Sequence, residues 1–346
     1  MSKKKIPDHS LTSLSANDLE LTEIEWIKKV LPRQERLLNL NLSGNRISSI
    51  APFIPCIENQ SFRLTHLDLS HNLIQDFELF SLIFEKNNTL GTCILSATGL
   101  TTIPASWIPA LGSNKTLKSL YLADNELTSI DSFSGIFTKN KGIRKIDLSG
   151  NQLKHVHALC EALLHNTTLH CLNLSNNQIQ DVNSFVRLFQ FNSTIVSLDL
   201  NFNGLKHVNS MADVLNSSSG KLEYLYMNGN EIEYMEPVFN SLTDNHCLIS
   251  LDVSNNPLAD GTNRIIPNIQ THRTLKRVCL QGTRVPEVKR QCIDNRLQHL
   301  HSARSVILTC LCSYHMIPRL NKPSKTRIYH LPLDVIRLLA TFLPVE

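Results

Sequence analysis

A fourteen-residue phrase returns along most of this chain at a spacing of 26 or 27 residues. Its clearest copy is Leu169 to Val182, LHCLNLSNNQIQDV, which reads L-x-x-L-x-L-x-x-N-x-I-x-x-V. Copies begin at Leu37, Leu64, Leu90, Leu117, Ile143, Leu169, Ile195, Leu222, Leu248 and Leu275. A period held this tightly over ten copies confines the chain to stacked units, each unable to bury its apolar face without its neighbours. Length alone would suggest two domains for 346 residues, and the repeat overrides that expectation.

Within the phrase, Leu172 and Leu174 alternate as in a short strand with one buried face. After Asn177 the spacing changes, so the chain turns away from the strand direction. The asparagine column reads Asn45, Asn72, Thr98, Asn125, Asn151, Asn177, Asn203, Asn230, Asn256 and Thr283. A polar amide among apolar neighbours must bond something, and the backbone of an adjacent turn suits its donors and acceptor. Between strands lie second apolar segments, such as Phe77–Phe84, Val156–Leu164 and Val182–Phe189. Their apolar residues recur at three and four, which predicts convex-side helices. Polar clusters such as His165-Asn166-Thr167-Thr168 then return the chain to the next strand.

A degenerate eleventh copy stands upstream, where Leu14-Ser15-Ala16-Asn17-Asp18-Leu19 aligns with Leu42-Ser43-Gly44-Asn45-Arg46-Ile47. Residues 18–31, DLELTEIEWIKKVL, have helical spacing and end at Pro32. They are expected to form a helix that caps the open edge of the first strand. The domain reading is an N-terminal cap with a degenerate repeat over 1–36, ten repeats over 37–288, and a C-terminal helical cap with a basic linker over 289–346.

These residues carry a resemblance. The phrase L-x-x-L-x-L-x-x-N-x-I is the leucine-rich-repeat signature. A 26–27-residue period with A-L-L-x-N-T-T-L-x-x-L-N-L-S-x-N-x-I resembles the ribonuclease-inhibitor-like class over roughly residues 9–288. The resemblance implies a curved α/β solenoid, or horseshoe, with a parallel concave sheet and convex helices. It also implies a non-catalytic scaffold for protein–protein interaction: an inhibitor, sensor or adaptor. The asparagine-rich composition is similar in style to bacterial effectors delivered into a host cell.

No apolar run follows the basic N-terminal residues, so neither a signal peptide nor a transmembrane segment is expected. Nine scattered cysteines, with Cys93 in a core leucine position, read as reduced thiols. A cytoplasmic setting follows, in a host cell if the protein is an effector. Asn-x-Ser/Thr sequons are frequent, but Asn41 and Asn173 lie inside repeat strands, so the sequons read as by-products of composition. Charge divides unevenly: residues 271–346 carry 13 Lys and Arg against 4 Asp and Glu, while residues 1–270 carry 21 against 26. The body is therefore mildly acidic and the C-terminal end basic.

Catalytic signatures are lacking: there is no glycine-rich phosphate loop, no H-E-x-x-H and no G-x-S-x-G. Cys292, His299, His301, Cys310, Cys312 and His315 cluster, but their i, i+2 spacings splay ligands and C-x-x-C is absent, so no metal is expected. No cofactor, small-molecule substrate or nucleic acid is expected either. The expected partner is a protein on the concave face. Its contact residues are sought among the outward strand positions: Tyr121, Lys145, Asp147, Asp199, Tyr224, Tyr226, Asp252 and Arg277, with Phe202 further along its strand. Exposed aromatics are the side chains enriched at binding hot spots. The aspartates belong to a recurrent L-D-L-S, which argues more strongly for a structural role than for binding.

Near the C-terminus, residues 331–343 (LPLDVIRLLATFL) resemble the first helix of an F-box at Leu331, Pro332, Asp334, Val335, Ile336, Leu339, Phe342 and Leu343. That resemblance implies docking to a Skp1-type adaptor of a cullin ubiquitin ligase. A full F-box is about three times longer. The competing reading is an amphipathic helix packed on the solenoid end.

Overall fold

The computed structural model describes residues 12–34, 36–259, 272–295 and 297–298. In it every copy of the phrase becomes one three-residue strand. They are β1 (Ser13–Ser15), β2 (Asn39–Asn41), β3 (His66–Asp68), β4 (Thr92–Ile94), β5 (Ser119–Tyr121) and β6 (Lys145–Asp147), then β7 (Cys171–Asn173), β8 (Ser197–Asp199), β9 (Tyr224–Tyr226), β10 (Ser250–Asp252) and β11 (Arg277–Cys279). They pair in parallel and in chain order to form one 11-stranded open sheet. The middle residue of each strand from β2 onward, such as Leu120, Leu198 or Leu225, is buried, and its two neighbours face outward.

Short helices return the chain between strands. They include α1 (Ile27–Val30), α2 (Ile54–Glu58), α3 (Phe80–Lys86), α4 (Trp107–Ser113), α5 (Phe133–Phe137), α6 (His157–Leu163) and α7 (Asn183–Phe191). Helices of 4–9 residues cannot persist alone in water, so their stability comes from burying one face. The rings of Phe80 and Phe84 meet Trp107 edge-on at 5.8 and 5.1 Å, and Trp107 Nε1 donates to the Phe77 carbonyl at 2.8 Å. Parallel strands pack about 4.8 Å apart, whereas a helix with its side chains is about 10 Å across. The helical layer needs the longer arc, so the strands line the concave side. The expected α/β solenoid is thereby formed.

Two regular sets of buried asparagines stitch the repeats together. In the expected column, Asn177 Oδ1 accepts the Leu153 N–H of the preceding repeat at 3.0 Å. Its Nδ2 donates to the carbonyls of Leu148, Leu174 and Ser175 at 2.9, 3.0 and 3.1 Å. Thr98 keeps only the bond to its own strand, Oγ1 to the Leu95 carbonyl at 2.8 Å, and a contact with Asn125 Oδ1. The second set, Asn87, Asn114, Asn140, Asn166, Asn192 and Asn245, lies at six of the returns from helix to strand. Asn192 Nδ2 donates to the Leu163 and Asn166 carbonyls of the previous repeat at 2.7 and 2.9 Å, while its Oδ1 accepts the N–H groups of Thr194 and Ile195 at 2.9 Å. Thr194 Oγ1 also reaches the Asn166 carbonyl, at 3.0 Å. This arrangement corrects the reading of the N-x-T sequons as by-products of composition. At Asn87, Asn114, Asn166 and Asn192 the asparagine is buried and its amide nitrogen is already bonded to backbone, so the motif is a structural rung.

Two expectations at the N-terminal end fail. Residues 18–26 are not helical. Asp18 and Glu20 have φ of 55° and 53°, and the Leu19 and Leu21 N–H groups both donate to Asn45 Oδ1 at 3.0 Å. This stretch is the turn of the degenerate repeat, and helix α1 begins only at Ile27 on the convex layer. The degenerate repeat itself is real, but its alignment shifts by two: Leu14 pairs with Leu40, not Leu42. A slip of two preserves inward and outward alternation, so the leucine pattern could not reveal it. The left-handed residue does reveal it. Every repeat has one, at Asp18, Gly44, His71, Ala97, Asp124, Gly150, Asn176, Phe202, Gly229, Asn255 and Gly282. Asp18 therefore matches Gly44, and Leu19 stands where the later repeats carry asparagine.

At the other end, residues 287–295 are helical, and Ile293 and Leu297 are buried in the same core. The F-box-like residues Leu331 to Leu343 and the basic linker lie outside the described residues. So do His299, His301, Cys310, Cys312 and His315 of the cysteine and histidine cluster.

Candidate functional site

The outward residues of each strand form two columns on the concave face. One carries Ser119, Lys145, Cys171, Ser197, Tyr224, Ser250 and Arg277. The other carries Tyr121, Asp147, Asn173, Asp199, Tyr226, Asp252 and Cys279. The strand register places Asp199, Tyr226 and Asp252 side by side on three consecutive strands.

The aspartates have a structural duty. Asp147 Oδ1 accepts the Ser149 N–H at 3.0 Å and its hydroxyl at 2.6 Å. Asp252 Oδ1 does the same for Ser254 at 3.0 and 2.5 Å, and Asp199 Oδ1 accepts the Asn201 N–H at 2.9 Å. Asn41 and Asn173 make the same backbone bond from the same column, so the turn needs the oxygen and not the charge. In Asp199 and Asp252 the second carboxylate oxygen makes no hydrogen bond or ion pair among the described residues. Burial holds the Asp199 carboxyl above the usual aspartate range. The Asn201 backbone bond opposes this, and Asp147 and Asp252 add repulsion.

Tyr224 and Tyr226 point the same way, as expected. Their ring centroids are 6.5 Å apart and their planes differ by 22°. Near the middle of the sheet, Lys145 Nζ sits 4.9 Å from the centroid of the Tyr121 ring, a cation–π contact between the adjacent strands β5 and β6. Arg277 turns its Nε to Cys279 Sγ at 2.9 Å.

Phe202 differs from expectation. It stands beyond β8 in the left-handed turn, with φ of 53°, and is 51% exposed. No ring contact joins it to the tyrosine pair among the described residues; instead its ring lies over Gly229. A Cβ at Gly229 would fall 2.2 Å from Phe202 Cε1, so glycine there serves both the φ of 64° and the ring above it. A bulky residue in this conformation is a rarity that costs roughly 1–2 kcal/mol. Sequence reasoning placed Phe202 on the strand because the shift from strand to turn occurs within three residues. The recurrent Gly, Asn and Asp at that position were the signal that marks the turn.

A leucine-rich-repeat family profile matches residues 60–76, 113–130 and 165–182. No curated protein matches the sequence as a whole. Among solved structures, the chain is similar to an internalin (inlF) from Listeria monocytogenes at 18% identity and a TM-score of 0.51, over 83% of this chain and 86% of the other. It is similar to a leucine-rich-repeat protein of Leptospira interrogans at 17% identity and a TM-score of 0.55, over 81% and 80%. It also resembles the APL1 leucine-rich-repeat domain at 21% identity and a TM-score of 0.50, over 80% and 69%. At these identities the likeness is one of fold. With the period and the sheet, it shows that the chain has the leucine-rich-repeat solenoid fold. Among the described residues no helix is long and apolar enough to cross a membrane.

Proposed function

We propose that this chain is a non-catalytic binding scaffold that holds a protein partner across its concave strands, anchored at Phe202, Tyr224 and Tyr226. Phe202 is the observation that carries this reading. An aromatic ring half exposed in a left-handed turn is unfavourable twice over, in backbone conformation and in hydration, and such departures are typical of binding positions. A further support is the extent of the surface. Ten strand spacings of about 4.8 Å span some 48 Å, which suits a protein or an extended segment better than a metabolite. Tyr121 with Lys145, Asp147 and Arg277 then form the polar surroundings of the anchors. The same surface suits an inhibitor that occludes another protein, or an effector that acts in a host cytoplasm.

A second reading rests on the sequence of residues 331–343, whose match to an F-box helix implies a Skp1-type adaptor as a second partner. Affinity capture with the full chain, a Phe202→Asn/Tyr226→Ile variant and a chain lacking 319–346 separates the two. The scaffold reading expects the main captured protein to be lost from the double variant and kept by the truncation. Loss of that protein from the truncation alone moves the functional surface to the C-terminal segment.

A further inference from the structure

Among the described residues the concave face contains one cation–π pair, and Tyr226 repeats the tyrosine of that pair with no cation seated over its ring. Lys145 occupies the first position of β6, and its ammonium covers Tyr121, the last residue of the preceding strand. Tyr226 is likewise the last residue of its strand, and the position equivalent to Lys145 on the following strand is Ser250. Ser250 is small and buried, and cannot reach over a ring. The neighbours of Tyr226 in its own row are Asp199 and Asp252, about 4.8 Å away on either side by strand spacing. Among the described residues, each has one carboxylate oxygen without a hydrogen-bond partner. Arg277 acts electrostatically on both Tyr226 and Asp252, but its Nε is hydrogen-bonded to Cys279 Sγ, and among the described residues it makes neither an ion pair with Asp252 nor a cation–π contact with Tyr226.

Resting on the scaffold reading above, we propose that Asp199, Tyr226 and Asp252 form a receptor for one cationic side chain, an arginine or lysine carried on an extended segment of the protein partner. The ring supplies the quadrupole, with Tyr224 stacked beside it, and the two carboxylates supply the counter-charge. Charge complementarity extends beyond the site: residues 1–270 carry 26 acidic against 21 basic side chains. A cation seated here also relieves the repulsion among Asp147, Asp199 and Asp252 that helps raise the Asp199 pKa.

The test uses the full chain and two fluorescent octapeptides, one alternating arginine and alanine, the other with citrulline in place of arginine. Citrulline keeps the shape and loses the charge. The variants have precedents in the same column: Asp199→Asn and Asp252→Asn follow Asn41 and Asn173, and Tyr226→Ile follows Ile94. The expectation is that the arginine peptide binds and the citrulline peptide binds about tenfold more weakly. Tyr226→Ile and the double Asp199→Asn/Asp252→Asn variant should each lose about tenfold for the arginine peptide. Tyr226→Phe, which keeps the ring, should bind as the wild type does. Equal affinity for the two peptides, indifference of the arginine peptide to these variants, or absence of binding overturns the proposal. If the captured partner is lost with Phe202→Asn/Tyr226→Ile while the arginine peptide is indifferent, the cation receptor falls and the scaffold reading stands. The reverse result retains the receptor and removes the scaffold reading.

Discussion

Replacing Asn177 by leucine removes one asparagine's whole share of the inter-repeat stitching. Asn177 makes four hydrogen bonds, and they are not equivalent. The Leu148 carbonyl keeps Asn151 Nδ2 at 3.0 Å, the Leu174 carbonyl keeps Asn203 Nδ2 at 2.9 Å, and the Ser175 carbonyl keeps the Gly150 N–H at 2.9 Å. Among the described residues the Leu153 N–H has no such second partner, so the substitution leaves it buried and unpaired. One stranded donor costs about 1–3 kcal/mol, and the three weakened acceptors place the expected loss toward the upper half of that range. Thr98 offers the reciprocal experiment. Its side chain does not reach the Ile74 N–H, the group equivalent to Leu153 N–H, so Thr98→Asn should add this bond and gain about 1 kcal/mol. Denaturant unfolding reads both changes. Amide hydrogen exchange reads the local consequence, with Leu153 losing protection in Asn177→Leu and Ile74 gaining it in Thr98→Asn. Unchanged unfolding midpoints together with a still-protected Leu153 would refute the assignment of these asparagines as stitching groups.

Phe202→Asn should alter stability by less than about 1 kcal/mol, because lost ring packing is offset by relief of the left-handed strain, as Asn176 and Asn255 show in the same column. Phe189→Ala, in the buried core, should cost about 3–5 kcal/mol in the same denaturation assay. The raised Asp199 pKa gives a sign for pH. The native state holds that proton more tightly than the unfolded chain, so wild-type stability relative to Asp199→Asn should fall as pH rises from below 3.8 through the elevated native value. An unchanged difference across a pH series of melts removes the assigned shift. Among the described cysteines, a thiol reagent should label the exposed Cys292 in the native protein and spare Cys93 and Cys160, whose pKa values burial pushes up; mass spectrometry of the labelled peptides decides it.

The strands, their order and the first asparagine column were legible because they rest on side-chain chemistry repeated at a fixed period. The second asparagine set was equally periodic. It went unread because N-x-T-L resembles both a sequon and a generic polar turn, and only the bond from Asn192 to the previous repeat shows its purpose. The N-terminal stretch misled for the opposite reason. Leu21, Ile24 and Ile27 have helical spacing by accident of a turn followed by a helix, and tertiary bonds to Asn45 override the local pattern. Alternation alone placed Tyr224 and Tyr226 side by side on the outward face of β9. Phe202 was found as an exposed aromatic but placed on the wrong element, because backbone sign is invisible in a single side chain.

Affinity of the captured partner for Phe202→Asn/Tyr226→Ile is the most direct measure of the central claim, that binding is anchored on the concave aromatics. Truncating an anchor costs about 2 kcal/mol or more, which is roughly thirtyfold in Kd. The double variant should lose at least that. Arg187→Ala, on convex helix α7 and paired with Glu161 at 3.2 Å, should bind within about twofold of wild type, a change worth under 0.5 kcal/mol. Wild-type affinity in the double variant, with its melting curve unchanged, would contradict the claim.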